Sequence, residues 1–585
     1  MNFVSVNGKN WIFKKFNSND VKNYSEAFSI NETLSKLIAI RKNNIEDVGL
    51  YLNPTIKNLL PNPFYLKDMT KAVKRSYKSI LNKETIGIFG DYDVDGAAST
   101  AILSLYFSQI KSKSITYIPD RKKEGYGPTV QGFKNLIKSG SKIIFTVDCG
   151  TLSFEAIKFS QSQKIDVIVL DHHQSDAKFP IAHAIVNPNR HDDTSKLNYL
   201  CATGVCFMYL IALNKKLRET NWFEQNNIKE PNILNFLDLV SLGTVCDVVP
   251  LIGINRAFVK QGLKILKERK NLGLKTLYDL CEIESQPSTY DLGFKLGPRI
   301  NAGGRVGKSS HGFELLTSTD PKKTYKIALD LNKSNEERKS IELLLIEKVE
   351  NEVKKFHNQP VLVLEGNDWH EGIIGIVAAR IKEKYNKPTI LISINNDLAK
   401  GSARSIFGFD IGAQIINAVH NGILLKGGGH KMAGGFSIKK SKIHDFRNFL
   451  IKNFEKLKFY STDNLDLHLD VMVAPSALNE EFYNQINILS PFGSGNNEPR
   501  FVIENLKVIS SKIVGNGHIK SILTGLDGSV FNSIAWNAEN TPLEKILSQK
   551  YNKKISIAGK MKLNYWKGKK NVEFVIDDIA INKLI

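Results

Sequence analysis

The chain has 585 residues, and its 80 Lys and Arg against 59 Asp and Glu give it a formal net charge of +21. At about one domain per 150 residues this length predicts roughly four domains, and the ordinary apolar and charged content excludes a disordered chain. The lack of a long apolar run and of a secretory signal predicts a cytoplasmic protein without a membrane partner. Five scattered cysteines with no CxxC pair fit reduced thiols.

The first half of the chain is predicted to contain an α/β domain. Residues 1–65 indicate a short segment of helices and turns. Strands then alternate with helices over residues 66–319, which predicts a parallel sheet. The predicted strands of this sheet are TIGIF (85–89), SITYIPD (114–120), KIIFTV (142–147), KIDVIVL (164–170) and HAIVNP (183–188).

A long helix and two further domains are predicted for the second half. Apolar residues at every fourth position indicate one connecting helix over residues 320–357. Residues 358–462 predict a second α/β domain that is rich in glycine, with the segments KGSARS (400–405) and GGGH (427–430). Short alternating runs over residues 463–585 are typical of a small antiparallel barrel.

Acidic residues and histidines follow the predicted strands of the first domain. Because the carboxyl ends of parallel strands meet at one edge of a sheet, we expect these side chains to converge there. They are Asp91, Asp93 and Asp95, then Asp148, then Asp171, His172 and His173, with Asp247 after the run VSLGTVC.

Such a convergence predicts a site for divalent metal ions. Carboxylates held together without cations raise each other's pKa, and oxygen ligands with an imidazole suit Mn²⁺ or Mg²⁺. The ligands are too many for one ion with open positions, so we expect two ions that share a carboxylate, an arrangement that hydrolyses phosphoesters. The basic surface would then hold a polyanionic substrate. Taken singly, DxDxDG also resembles a calcium loop and Asp148 a helix N-cap, so the prediction depends on the joint pattern.

Motifs along most of the chain carry a resemblance to a known family. DYDVDG, VDCG, DHH and GTVCDVVPL, in this order, resemble the four motifs of the DHH phosphoesterases. The resemblance implies a DHH domain, a DHHA1 domain and an OB-fold for the three predicted domains. The segments that narrow it to the RecJ family of single-stranded-DNA-specific exonucleases are IPDRKKEGYG, GPRINAGGRVG, WHEGIIGIVAAR, KGSARS, GGGHKMAGGF and SPFGSGNNEPRF.

The resemblance implies two Mn²⁺ or Mg²⁺ ions and a set of ligands. Asp93 and Asp95 are the expected direct ligands in the first motif. Asp148 would bridge the two ions, and His172 and Asp247 would complete the shell of the second ion.

The resemblance also implies a catalytic group around the ions. Asp91 would line the site, His173 would face the scissile phosphate, and Asp171 would orient a histidine. Some family members have a histidine where this chain has Phe89, so the shell of the first ion is the less completely assigned of the two.

Residues outside the metal site are expected to bind the nucleic acid. Their side chains are guanidinium, hydroxyl, amide, aromatic or imidazole groups in or beside glycine-rich segments, and such groups suit phosphate and bases. They are Arg121, Tyr126, Arg299, Asn301, Arg305, Arg380, Ser402, Arg404 and His430. In the last domain Trp536, Tyr565 and Trp566 fit stacking on a single strand, although core packing fits each of them equally well.

The resemblance implies a metal-dependent 5′–3′ exonuclease that degrades single-stranded DNA to mononucleotides in DNA repair and recombination. It implies a helicase and a single-strand-binding protein as partners, and we expect a monomer. Two alternatives remain open from the sequence. One is a DHH phosphodiesterase of short oligonucleotides or cyclic dinucleotides, and the other is a non-catalytic relative that binds single-stranded DNA.

Overall fold

The computed structural model describes residues 3–42, 45–284, 286–457, 466–515, 517–548, 554–566 and 569–582. Its N-terminal segment has two short strands as well as the helices and turns expected from the sequence. The elements of this segment are β1 (Phe3–Ser5), β2 (Asn10–Phe13), α1 (Ser18–Phe28), α2 (Glu32–Ala39), α3 (Ile45–Leu52) and α4 (Ile56–Leu59).

The first domain contains the predicted parallel sheet, with the strands in the order β4-β3-β5-β6-β7. β3 and β5 are buried along their whole length, so their sequences read as continuous apolar runs rather than as alternation. The elements are α5 (Met69–Leu81), β3 (Ile86–Gly90), α6 (Val94–Gln109), β4 (Ser114–Tyr117), α7 (Arg121–Glu124), α8 (Val130–Lys138), β5 (Ile143–Val147), α9 (Phe154–Ser162), β6 (Asp166–Leu170) and β7 (Ala184–Val186).

Helices complete the first domain. The run before Asp247 forms α12, which packs against α6, α10 and α13, so Asp247 follows a helix rather than a strand. Nearly all of α12 is buried, and a helix that is buried all round shows no amphipathic period. The elements are α10 (Ala202–Glu219), α11 (Trp222–Gln225), α12 (Leu237–Cys246), α13 (Gly253–Lys267), α14 (Leu272–Leu280), a π-helical segment (Asp291–Leu296), α15 (Gly297–Arg305) and α16 (His311–Thr317).

A helix of 36 residues, α17 (Pro321–Phe356), leads into the second α/β domain, in agreement with the fourfold apolar repeat. The sheet of that domain has the order β11-β12-β10-β9-β8, in which only β8 and β9 are parallel among the described pairs. The elements are β8 (Leu362–Asn367), α18 (Ile374–Tyr385), β9 (Thr389–Asn395), β10 (Leu398–Arg404), α19 (Ile411–His420), β11 (Lys426–His430), β12 (Ala433–Lys439) and α20 (Ile443–Lys456).

The glycine-rich segments of the second domain form strands. Residues 400–404 of KGSARS lie in β10 and GGGH in β11, and both pair with β12. The glycines permit close packing: a Cβ on Gly429 would lie 2.4 Å from the carbonyl oxygen of Ala433, and one on Gly427 would lie 2.6 Å from Ile415 of α19.

The last domain forms the predicted barrel. β15, β16, β17, β19 and β18 pair in a closed ring in which β17 and β19 are parallel. The elements are β13 (Asp466–Leu469), β14 (Val471–Met472), α21 (Glu480–Asn487), β15 (Phe501–Val514), β16 (His518–Thr524), β17 (Val530–Ala535), α22 (Pro542–Leu547), β18 (Ile555–Trp566) and β19 (Lys569–Asn582). Short 3₁₀ turns lie at Pro63–Tyr65, Ile233–Phe236, Lys440–Lys442 and Pro475–Ala477.

The N-terminal segment packs with the barrel. β1 pairs with β19 and β2 with β13, which explains why this segment contains strands. Val21, Leu37 and Val48 of its helices share one core with Phe501 and Phe574 of the barrel. No helix within the described ranges combines the length and the apolar character needed to cross a membrane.

Candidate active site

The register of the first sheet brings the acidic motifs together. The last residues of β3, β5, β6 and β7 are neighbours in register, so the residues that follow them emerge side by side. These next residues are Asp91, Asp148, Asp171 and Asn187, and all four are buried. Asn187 was missed from the sequence, although the same strand-end argument applies to it.

The DVDG turn after β3 is fixed by hydrogen bonds at the start of α6. Asp93 caps this helix by accepting a 3.0 Å hydrogen bond from the N–H of Gly96. The amide side chain of Asn301 accepts a 3.1 Å bond from the N–H of Val94, so Asn301 positions this turn. A Cβ on Gly96 would lie 2.7 Å from the backbone of Asp91, which explains the glycine.

Backbone strain marks one acidic residue, Asp148, and the residue that follows another, Val248 after Asp247. Asp148 has a φ of 60° and its N–H donates a 3.1 Å bond to the carbonyl of Leu170. Asp247, at the end of α12, is followed by Val248 with a φ of 59°, a conformation that β-branched residues rarely adopt. Such strain costs about 1–3 kcal/mol per residue and concentrates at functional sites.

Within the part of the chain that the structure describes, ligand atoms of acidic and histidine side chains form three groups, and within each group they lie within 4.8 Å of one another. Asp148 belongs to two of these groups, so it connects them. The groups are Asp91, Asp93 and Asp148; Asp148, His172 and His173; and Asp95, His172 and Asp247.

The carboxylates of this cluster fit bound cations. One buried oxygen in each of Asp91, Asp148 and Asp247 accepts no hydrogen bond from any described residue. Burial and the charge of Asp93 raise the pKa of Asp91 well above its usual range, and burial with the neighbouring carboxylates does the same to Asp148. Burial, Asp95 and Asp93 raise the pKa of Asp247 to about 9. A divalent ion would bind these oxygens as ligands and would neutralise the neighbouring like charges.

Asp95 differs from the other acids because its carboxylate is already hydrogen-bonded. Its Oδ2 accepts a 2.7 Å bond from the N–H of Ala202, and its Oδ1 accepts bonds from the N–H and the hydroxyl of Thr203. Both donors lie at the start of α10, where free N–H groups attract an anion. Asp95 therefore joins α6 to α10, and its oxygens offer less to an ion than those of Asp91.

Asp171 holds the two histidines of the cluster. Its Oδ1 accepts bonds from the N–H groups of His172 and His173 and lies 2.8 Å from His173 Nδ1, while Thr151 donates twice to Oδ2. Burial would raise the pKa of Asp171, but the charge and hydrogen bond of His173 outweigh burial and lower it. The carbonyls of the histidines accept bonds from Asn187 and Asn189.

The two histidines have different electrostatic environments. His172 Nε2 lies 3.3 Å from Asp148 and 3.6 Å from Asp247, and burial lowers its pKa, which favours the neutral form that binds metals. For His173, burial lowers the pKa, but Asp171 outweighs burial and raises it to about 9. The hydroxyl of Tyr126 lies 3.2 Å from His173 Nε2 and donates to the carbonyl of Asp148.

Phe89 packs away from the cluster. Its ring is fully buried, 5.5 Å from the ring of Tyr117 and 5.9 Å from that of Phe133. At this position, where some relatives are expected to have a histidine, the chain offers core packing and no ligand.

Arginines of the first domain lie beside the acidic cluster, and one of them, Arg305, is within electrostatic reach of Arg404 in the second domain. Burial, Arg121 and Arg338 lower the pKa of Arg305 to about 10, and Asp93 and Arg404 are close enough to act on it as well. The guanidinium of Arg305 donates a 3.0 Å bond to the carbonyl of Gly372 and so connects the two domains. Arg121 lies 5.1 Å above the ring of Tyr92. Within the described residues, no carboxylate lies within 4.0 Å of Arg121, Arg305 or Arg404.

Ser402 and Arg404 lie beside the first turn of α18. Arg404 donates a 3.2 Å bond to the hydroxyl of Ser402, and a Cβ on Gly375 would lie within 3.1 Å of both side chains. Burial lowers the pKa of Arg404. His430 of β11 is near enough to His173 for that charge to act on it, although burial contributes more to its lowered pKa.

Other predicted nucleic-acid contacts have partners within the protein. Arg299 donates to the side chain of Asn332 and to the carbonyl of Lys295. Arg380 is 3.3 Å from Glu342, with its own side chain 63% exposed. Trp536 is 47% exposed, whereas the side chains of Tyr565 and Trp566 lie outside the described residues.

A parallel sheet with this carboxylate and histidine cluster, followed by a second α/β domain and a closed barrel, defines a phosphoesterase of the DHH type. Family models match in the same order: the DHH family N-terminal domain at residues 85–244, the DHHA1 domain at 358–456 and the RecJ OB domain at 469–578. The single-stranded-DNA-specific exonuclease RecJ of Haemophilus influenzae is 34% identical over 90% of this chain and 93% of its own. The Escherichia coli protein of that name is 32% identical over 90% of this chain and 92% of its own. The chain therefore belongs to the RecJ family.

Solved structures have the same architecture. The crystal structure of RecJ from Thermus thermophilus in complex with Mn²⁺ aligns with a TM-score of 0.79 at 24% identity and covers 98% of this chain and 80% of that one. A crystal structure of exonuclease RecJ bound to manganese aligns with a TM-score of 0.57 at 28% identity, and the alignment covers 69% of this chain and 97% of that one.

Proposed function

We propose that this chain is a metal-dependent exonuclease that hydrolyses single-stranded DNA from the 5′ end and releases mononucleotides, with a role in DNA repair and recombination. The observation that carries the proposal is the cluster of buried carboxylates, some of whose oxygens accept no hydrogen bond from the described residues, beside arginines that have no acidic partner among those residues, in a member of the RecJ family. The relatives' names supply the single-stranded substrate, the 5′ polarity is what the family resemblance implies, and the arginine pocket supports it.

Two Mn²⁺ or Mg²⁺ ions are proposed for the cluster. Asp91 and Asp93 would hold one ion, His172 and Asp247 the other, and Asp148 would bind both, because it belongs to the groups on either side. When bound, such a pair activates water and stabilises the attacking and leaving oxygens. In this assignment Asp91 takes the direct role that the family resemblance implies for Asp95, and Asp95 positions α6 and α10.

The protein's own groups would orient the phosphate. The contact with Asp171 places Nδ1 of His173 toward the carboxylate, and Nε2, which lies 3.2 Å from the hydroxyl of Tyr126, would donate to a phosphate oxygen in place of that hydroxyl. In the metal-free protein a pKa of about 9 keeps this histidine protonated at neutral pH, which suits a charge-assisted hydrogen bond. Before a phosphate binds, the hydroxyl of Tyr126 holds the ring in place.

The preference for a 5′ end is proposed to arise in the second domain. A terminal phosphate carries more charge than an internal phosphodiester, so a pocket of fixed donors prefers it. Ser402 and Arg404 offer a hydroxyl and a guanidinium beside the first turn of α18, and Arg121 and Arg305 extend the positive field toward the metal cluster.

A cytoplasmic monomer that works with a helicase and a single-strand-binding protein completes the proposal. Family membership supports these partners, and size-exclusion chromatography with light scattering tests the monomer.

Digestion of one long single strand labelled at either end tests the function. Early release of labelled mononucleotide from the 5′-labelled strand, with the 3′ label retained on shortening products, is expected. The same enzyme should hydrolyse linear and cyclic dinucleotides far more slowly. Preferential hydrolysis of dinucleotides would instead assign the chain to the short-oligonucleotide phosphodiesterases, and binding of the strand without hydrolysis would assign it to the non-catalytic alternative.

A further inference from the structure

We propose that the segment leading into the barrel also positions Asp247 for its metal ion. This segment, residues 489–497, lies between α21 and β15 and is called the junction loop. It acts through the turn that follows α12, which is formed by residues 247–251. The inference rests on the proposed function, in which Asp247 binds one of two ions.

The turn needs support from its surroundings because its backbone is strained. Val248 has a φ of 59°, which β-branched residues rarely adopt, and it is 68% exposed, so packing of its own side chain contributes little. A strained conformation persists only where the surrounding structure fixes it. On one side the turn continues the buried helix α12, in which the carbonyl of Gly243 accepts the N–H of Asp247 at 2.9 Å. The junction loop supports the other side.

The junction loop contacts the far end of the turn directly. The N–H of Leu251 donates a 2.8 Å hydrogen bond to the carbonyl of Ser494. A Cβ on Gly495 would lie 3.0 Å from the Cβ of Pro250, and one on Gly493 would lie 2.8 Å from the side chain of Leu251. Leu251 is buried, so this contact excludes water. The loop therefore packs on the last two residues of the turn and limits their movement.

Arg256 fastens the junction loop to the helix that follows the turn. This buried arginine lies in the first turn of α13, and its Nε donates a 2.9 Å bond to the carbonyl of Tyr51 in the N-terminal segment. Its other nitrogens donate to three consecutive carbonyls of the loop, those of Leu489, Ser490 and Pro491. One side chain thus holds the loop against the start of α13.

Further hydrogen bonds fix the shape of the junction loop. Asn496 is buried and donates to the carbonyls of two other loop residues, while its Oδ1 accepts the hydroxyl of Tyr51 at 2.9 Å. The hydroxyl of Thr289 in the first domain donates a 2.7 Å bond to the carbonyl of Phe492. The loop is therefore bonded within itself and to the first domain, which suits it to hold a strained neighbour.

Movement of the turn would affect one ion more than the other. Asp247 shares its ligand group with Asp95 and His172, whereas Asp91 and Asp93 belong to a different group. A shift of the turn should therefore weaken Mn²⁺ at the site of His172 and Asp247 and leave the other site unchanged. A loop that served only the stability of the protein would have no such selective effect.

Gly495→Ala tests the contact against a matched control. Its new Cβ meets Pro250, whereas Gly8→Ala has the same φ of 69° and places its Cβ where no described residue lies within 4 Å. The two variants carry the same backbone strain, so only Gly495→Ala displaces the loop from the turn. Calorimetric titration with Mn²⁺ should show one site about tenfold weaker in Gly495→Ala and both sites unchanged in Gly8→Ala.

A second pair of variants tests the loop without a change at a glycine. Thr289→Val removes the bond to Phe492 with little change of shape, and Thr289→Ser keeps the hydroxyl. Thr289→Val should weaken the same Mn²⁺ site as Gly495→Ala, and Thr289→Ser should bind both ions as the parent does. Anomalous scattering from Mn²⁺-soaked crystals identifies the weakened site by its lower occupancy beside His172.

Hydrogen exchange in EDTA tests the positioning without an ion. Peptides that cover residues 247–251 should exchange faster in Gly495→Ala than in the parent, and at the parent's rate in Gly8→Ala. Val248→Gly relieves the strained φ, so Gly495→Ala should cost much less Mn²⁺ affinity in that background.

These measurements decide the role of the loop. Equal weakening of both Mn²⁺ sites in Gly495→Ala, or unchanged exchange over residues 247–251, would overturn it. If the parent itself binds no Mn²⁺, the proposed function fails instead, and hydrogen exchange still decides whether the junction loop fixes the turn.

Discussion

Oδ1 of Asp171 lies 2.8 Å from Nδ1 of His173 and also accepts the backbone N–H of His172, so one buried carboxylate fixes both histidines of the cluster. Asp171→Asn keeps the size of the side chain and removes its charge. We expect activity to fall about 10–100-fold, because a partner of this kind orients the groups that act on metal and substrate. The pKa of His173 in the metal-free protein, measured by NMR, should fall. Asp445→Asn, at a surface acid that pairs with Lys442, is the control, and an unchanged His173 pKa would refute this coupling.

Substitutions of Asp91 and Asp95 should have different effects on metal binding and on stability. Asp91→Asn should lower the bound metal and the activity with little change in the urea midpoint, because the lost oxygen accepts no hydrogen bond. Asp95→Ala should lower the free energy of unfolding by about 2–4 kcal/mol, because the donors at Ala202 and Thr203 lose their acceptor. Metal analysis and urea unfolding of both variants measure the difference. The opposite pattern, with Asp95→Ala stable and metal-free, would restore Asp95 as a direct ligand.

Stability of the metal-free protein should decrease as pH rises. Asp247 has a folded pKa of about 9 against an ordinary value of 3.8, so the folded state holds a proton that the unfolded state releases. This contribution is fully present below about pH 4 and is lost as pH rises through about 9. Mn²⁺ replaces the proton, so the rise in Tm on adding Mn²⁺ should grow with pH. Asp247→Asn should flatten the pH dependence in EDTA, and an equal slope in parent and variant would count against the assignment.

The 5′-phosphate pocket is tested at Arg404. Arg404→Ala should lower activity on 5′-phosphorylated strands by on the order of 10-fold or more, the worth of a charge-assisted contact, and should narrow the preference for phosphate over hydroxyl. Arg404→Lys should recover only part of this, because the planar fork is lost. Arg218→Ala removes an exposed arginine paired with Glu230 and should behave as the parent. If Arg404→Ala still distinguishes 5′-phosphate from 5′-hydroxyl strands as well as the parent does, the pocket is formed by Arg121 or Arg305 instead.

The features that depend on neighbouring residues can be predicted from the sequence. Alternating strands and helices indicate the parallel sheet, and the strand-end rule gathers Asp91, Asp148 and Asp171 at one edge, because the carboxyl ends of parallel strands meet there. Asn187 obeys the same rule and could have been found with it. The fourfold repeat predicts α17 because a helix on a core keeps its period.

Contacts between distant segments cannot be predicted in this way. The donors that occupy Asp95 lie 107 and 108 residues further along the chain, so its motif gives no sign that it joins two helices. β1 and β2 exist because they pair with strands hundreds of residues away. The strand conformation of GGGH is not evident from the sequence, because the reason for its glycines, close packing against β12 and α19, exists only in three dimensions.

Anomalous diffraction at the manganese edge from crystals soaked in Mn²⁺ tests whether two ions share Asp148. Two peaks are expected about 3.5–4 Å apart, one beside Asp91 and Asp93 and the other beside His172 and Asp247, with Asp148 between them. Crystals of Asp148→Ala should lose both peaks while Asp445→Ala keeps them. A single peak, or two peaks that persist in Asp148→Ala, would contradict the shared-carboxylate centre.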